Sequence, residues 1–109
     1  SPADIGVPAI VEYELRYGLL RLQAEAAAPR LAALSTLLRP MQVLAFDSEC
    51  AVHAARIRVE LEAVGTPIGP HDLLIAATAL RHNAMLVTRN VREFVRVKGL
   101  LCIDWHAKS

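Results

Sequence analysis

Apolar positions along this chain recur at two periods, and each switch from one to the other marks a short strand giving way to an amphipathic helix. Asp4 to Val7 reads as an extended piece leading into Pro8, which suits an early helix position because its missing N–H costs little there. Leu15, Leu19 and Leu22 at helical spacing predict a helix from about Ile10 to Gln23. Gly18 lies one turn beyond Glu14 on the same face. A glycine costs a helix about 1 kcal/mol relative to alanine, so it predicts close approach of another element. Pro29 opens a second helix with Leu31, Leu34 and Leu38 as its stripe, and Pro40 ends it. Met41 to Phe46 is a short apolar strand, after which Asp47 or Ser48 caps a third helix. That helix carries Cys50, Ala54, Ile57, Leu61 and Val64 on one face, leaves Arg56, Arg58, Glu60 and Glu62 to solvent, and stops at Gly65. The Gly- and Pro-rich turn from Gly65 to Pro70 feeds a fourth helix, Pro70 to His82, with Leu73, Ala76, Ala77 and Leu80 facing inward and Asn83 at its C-terminal end. Ala84 to Thr88 reads as a buried strand, Asn90 to Val95 as a short helix, and Leu100 to Ile103 as a last strand.

Alternation of strand and helix implies an α/β fold, a parallel sheet flanked by helices. In such sheets ligands gather beyond the carboxyl ends of the strands, the zone where Asp72 and Asn90 fall. A length of 109 residues predicts a single domain. Hydrophobic residues at 54% argue for a packed globule and against disorder. A net charge of +1 excludes a polycationic nucleic-acid tail but leaves room for a local basic surface. The apolar runs are short and interrupted, so no membrane span is expected, and no secretory signal is visible. Cys50 and Cys102 have no short-range Cys or His partner, which favours two buried thiols over a zinc site. The cytoplasm is the expected location.

Two acidic residues stand out because each lies at the start of a helix-like apolar pattern: Glu14 in VPAIVEYELRYG and Asp72 in GTPIGPHDLLIAATAL. Taken singly, Asp72 suits the first turn of a helix, where a negative side chain interacts favourably with the dipole. Glu14 alone has a bland reading as a partner of Arg16 or Arg21. Taken together, two distant carboxylates meeting at the mouth of an α/β sheet would attract a hard divalent cation, Mg²⁺ or Mn²⁺. The segment VTRNVREFVRVKG places Arg89, Arg92, Arg96 and Lys98 near Thr88 and Asn90. It reads either as solvated charge or as a rim that contacts a phosphate backbone. His53, His71, His82 and His106 are scattered singly, and no helical His pair suggests zinc.

VPAIVEYELRYG, GTPIGPHDLLIAATAL, LVTRNVREF and the closing GLLCIDW, in collinear order, resemble the PIN-domain ribonucleases of the VapC toxin family, from about residue 4 to the end. The resemblance implies an RNase H-like parallel sheet flanked by helices and a Mg²⁺- or Mn²⁺-dependent endoribonuclease of a VapBC-type toxin–antitoxin system. Such an enzyme cuts structured RNA, often transfer RNA, and leaves a 5′-phosphate. It also implies a VapB-type antitoxin as inhibitor and a homodimer paired through helices. Glu14 and Asp72 match the family's second and third acidic residues and become the expected metal ligands. Asn90 takes the place where many relatives carry a fourth acid, with Glu93 one turn on as a source of the missing negative charge. Thr88, Arg89, Arg92 and Arg96 become the expected substrate contacts.

One departure matters. The family opens with an apolar strand ending in Asp-Thr-Asn, whose Asp is the first metal ligand, and that motif does not occur in these 109 residues. The chain therefore reads as a PIN-like domain lacking the first strand and following helix. A rival from another class is a catalytically impaired module that retains dimerisation or antitoxin-binding surfaces. Metal-dependent RNA cleavage separates the two.

Overall fold

A computed structural model of the chain describes residues 6–88 and 90–104, which fall into two compact units divided between Ala45 and Phe46. The first unit runs β1 (Gly6–Pro8), α1 (Ala9–Leu20), α2 (Ala24–Leu38) and β2 (Gln42–Leu44). The second runs α3 (Ser48–Ala63), α4 (Pro70–Arg81), β3 (Leu86–Thr88), α5 (Val91–Phe94) and β4 (Cys102–Asp104). Each unit holds one parallel strand pair joined by helical crossover, as the alternating pattern predicts. β1 pairs with β2 so that Gly6 faces Gln42, and β3 pairs with β4 so that Thr88 faces Asp104.

In the first unit Ala27, Leu34 and Leu38 of α2 are buried with Leu44 of β2, while no residue of α1 is fully buried. The stripe Leu15, Leu19, Leu22 therefore does not form a core face; Leu15 is exposed and the other two are half-buried. Close approach falls at Gly6, where an added Cβ would lie 2.8 Å from Leu44 Cδ1, and not at Gly18, where it would meet nothing. Pro29 does not open α2 but lies inside it. The alanine-rich start, Ala24 to Ala28, has high enough helix propensity to extend the helix ahead of the proline.

The second unit is built on α3 against α4. Asp47 caps α3, its Oδ1 accepting the Cys50 N–H at 3.0 Å. That bond, with smaller help from the Arg81 guanidinium, holds the Asp47 carboxyl below the usual carboxylate range. Arg81, at the end of α4, reaches Asp47 Oδ2 at 3.3 Å and Glu49 Oε2 at 3.1 Å, so the end of α4 is tied to the start of α3. Cys50, Ala54, Ile57 and Leu61 form the buried face of α3, and burial pushes the Cys50 thiol up. Val64, expected on that face, is 69% exposed because the helix has ended and Gly65 turns the chain at φ 75°. α4 answers with small residues: Ala76, Ala77 and Ala79 are buried, as is Thr78, whose hydroxyl donates to the Leu74 carbonyl at 2.7 Å. Pro70 stands at the first helical position of α4, and Asn83 follows its end at φ 55°. Arg56 and Arg58 pair with Glu60 and Glu62 on the solvent face of α3. No helix among the described residues is long and apolar enough to cross a membrane.

Ile57 is 1% exposed, whereas Val59, two residues on, is 66% exposed. Ile57→Ala is expected to cost about 3 kcal/mol of unfolding free energy. Val59→Ala should stay within about 0.5 kcal/mol of the parent. Urea unfolding of both variants checks this, equal losses contradicting the assignment of the core face.

Candidate functional site

Asp72 occupies the first turn of α4, with Gly69 as N-cap and Pro70 beginning the helix. Its Oδ2 accepts a hydrogen bond from Asn90 Nδ2 at 3.1 Å, across 18 residues of sequence. The same amide nitrogen donates to Glu93 Oε2 at 3.0 Å. One NH₂ group thus serves two carboxylates. Asn90 is itself the N-cap residue of α5, but its side chain makes no cap bond and turns to α4 instead. Its backbone N–H donates to Thr88 Oγ1 at 2.9 Å, which fixes the turn out of β3.

The Asn90 amide is the main influence holding the Glu93 carboxyl below the ordinary value of 4.5, with further help from the Gly69 backbone N–H and the Arg96 charge. Arg96 also donates from Nη1 to the Pro67 carbonyl at 3.1 Å, so the α5 region grips the loop before α4 at a second point. Asn90, Glu93, Arg92 and Arg96, together with Val91 and Asp104, line an open cleft of about 660 Å³. Acidic and basic groups therefore share one concave surface.

The structure brings together four of the residues expected from the sequence: Asp72, Asn90, Thr88 and Glu93. Arg92 and Arg96 border the same cleft, and Arg89 lies outside the described residues. Glu14 is exposed on α1 in the first unit. Nearby, Arg16 pairs with Glu12 at 2.7 Å, and Arg21 lies 5.1 Å from the Tyr17 ring centroid. Sequence reasoning did not single out Asp104, the last residue of β4. The signal lay within GLLCIDW: an acid ending an apolar strand of a parallel sheet falls at the carboxyl edge, where sites form.

Among the described residues no group of three or more His, Cys, Asp or Glu side chains is arranged to hold a metal ion. The donor types nevertheless fit a hard divalent cation. The Asn90 Nδ2 group joins two carboxylates, Asp72 and Glu93, and carboxylate oxygens are the donors that such a cation takes.

Carboxylates and arginines at the carboxyl edge of a parallel strand pair define the class as an α/β domain with a polar, ligand-accepting edge. The PIN domain family matches residues 1–100. The tRNA(fMet)-specific endonuclease VapC of Salmonella typhimurium is 36% identical over 99 residues, covering 91% of this chain and 74% of that protein. Ribonuclease VapC2 of Rickettsia felis is 35% identical over 101 residues, covering 93% and 74%. The crystal structure of DNA-bound VapBC from Salmonella typhimurium superposes with a TM-score of 0.88 at 35% identity, over 95% of this chain and 77% of that one. The chain belongs to the PIN-domain family and, within it, to the VapC ribonucleases of VapBC toxin–antitoxin systems. Nucleases of this kind generally depend on a divalent metal.

Because the folded-state pKa of Glu93 is depressed, its hydrogen bonds contribute stability that is present above the unfolded value and lost as pH falls through the folded one. NMR titration of the Glu93 carboxyl is expected to give a midpoint below that of an ordinary glutamate, and Asn90→Ala should raise it. An unchanged midpoint in Asn90→Ala would show that the amide is not the cause.

Proposed function

We propose that the chain is a Mg²⁺- or Mn²⁺-dependent endoribonuclease toxin that cuts phosphodiesters of structured RNA, transfer RNA foremost, under the control of a VapB-type antitoxin. The observation that carries this reading is the Asn90 amide shared by Asp72 and Glu93 beside a cleft bordered by Arg92 and Arg96. Such a surface is shaped for a polyanion and a cation together. The identity of 36% and 35% to the VapC ribonucleases of Salmonella typhimurium and Rickettsia felis supports the choice of RNA.

Glu14 and Asp72 are the proposed ligands, Asp72 from the start of α4 and Glu14 from the motif on α1. A divalent ion supplies, when bound, a Lewis acid that activates water and offsets charge on the phosphoryl oxygens. The chain's own groups do the rest. Arg92 and Arg96 hold the RNA backbone through charge-assisted hydrogen bonds, and Arg89 is assigned with them from its place in the sequence. Thr88 uses an oxygen lone pair on the Asn90 N–H, and its hydroxyl hydrogen is directed to a phosphate oxygen. Glu93 stays ionised at neutral pH and keeps the Asn90 amide turned toward Asp72. The two compact units act as one PIN-like domain on this reading. A homodimer is the assigned assembly and the cytoplasm the assigned location. The exposed face of α1, with Tyr13, Tyr17 and Leu20, offers apolar area for a protein partner.

Cleavage of transfer RNA by this chain with Mn²⁺ or Mg²⁺ is the direct test. Asp72→Ala is expected to lower the rate by at least the roughly 10- to 100-fold lost when a group that merely orients a metal ligand is removed. Glu14→Ala should do the same. Equal cleavage by the parent and both variants would sink the reading. Arg96→Ala and Arg92→Ala are expected to weaken binding across RNA sequences alike. Each should reduce the slope of log affinity against log salt by about 0.7 to 0.9. A base-specific effect in filter binding at several salt concentrations would assign these arginines otherwise.

A further inference from the structure

We propose that Glu93 and Asn90 are positioning residues, with Glu93 acting on the ion site through the Asn90 amide and not as a ligand. The inference rests on the reading of Asp72 as a metal ligand and goes beyond it. Family resemblance offers Glu93 as a replacement charge for the acid that Asn90 lacks, but the geometry argues for another task. The Glu93 carboxylate already receives the Asn90 amide at 3.0 Å, is hydrogen-bonded by the Gly69 N–H, and feels the Arg96 charge. A carboxylate offset by three protein groups has less negative potential left for a cation. It is, however, well placed to fix an amide. By taking one amide hydrogen it sets the Asn90 side chain so that the other points to Asp72 Oδ2 at 3.1 Å. The Asn90 backbone is held independently by Thr88 Oγ1, so the amide is restrained at both ends. The result is a chain of restraint, Glu93 to Asn90 to Asp72, that selects the orientation of the ligand carboxylate.

Mn²⁺ affinity of the full chain, measured by calorimetry and by electron paramagnetic resonance of the free ion, separates the two roles. Asn90→Ala and Glu93→Ala are each expected to weaken Mn²⁺ binding about tenfold, the scale found for groups that orient metal ligands. Glu93→Gln should stay within about threefold of the parent, because its amide oxygen accepts the same hydrogen from Asn90. If Glu93→Gln falls as far as Glu93→Ala, the charge itself holds the ion and the inference is overturned. Unaltered affinity in Asn90→Ala overturns it as well. Asp72→Asn is the control for the underlying reading: binding that it leaves untouched, or no binding by the parent, defeats the metal assignment itself. A second readout needs no metal. In ¹⁵N spectra of the metal-free chain both Asn90 side-chain protons should lie downfield of ordinary asparagine amides. Glu93→Ala should return one of them, and ordinary shifts in the parent would contradict the bridge.

Discussion

The packing of α3 on α4 is the constraint from which the candidate site follows. Small residues at positions 76, 77 and 79 let the α4 backbone come close to the face built from Cys50, Ala54, Ile57 and Leu61. Buried area of this kind is the main stabilising term in a domain of this size. Its direction is fixed at one end by the contacts of Arg81 with Asp47 and Glu49. Once α4 is seated, its first turn has a defined place, and Asp72 is carried with it.

The second element that matters is the turn out of β3. Two residues separate the end of that strand from the start of α5, and Asn90 makes polar contacts in three directions there. The amide donates to both carboxylates and so offsets part of the repulsion between them. Cations approach from the α5 side, where Arg92 and Arg96 border the cleft.

Much of the second unit was legible in the sequence because its helix ends carry local signals. Asp47 and Gly65 bracket α3, Pro70 and Asn83 bracket α4, and all four act as their chemistry suggests. The first unit was harder to read. Pro29 suggested a helix start, but the alanines before it carried the helix further back. Leu15 and Leu19 matched a helical period, yet α1 contributes no fully buried residue. Periodicity identifies an apolar face without saying what covers it. Asp72 and Asn90 were each legible as candidates. Their direct hydrogen bond was not, because it depends on how the β3 turn folds back on α4. Asp104 went unnoticed for a related reason: a lone acid after apolar residues acquires meaning only when the strand's edge is placed.

The contact of Arg96 with the Pro67 carbonyl has a mechanical consequence. That carbonyl belongs to the segment leading directly into α4, and the guanidinium that grips it also borders the cleft. A bound polyanion that recruits the Arg96 Nη1 group competes with that carbonyl for it. Occupancy of the cleft and slack in the segment ahead of Asp72 become two readings of one gauge.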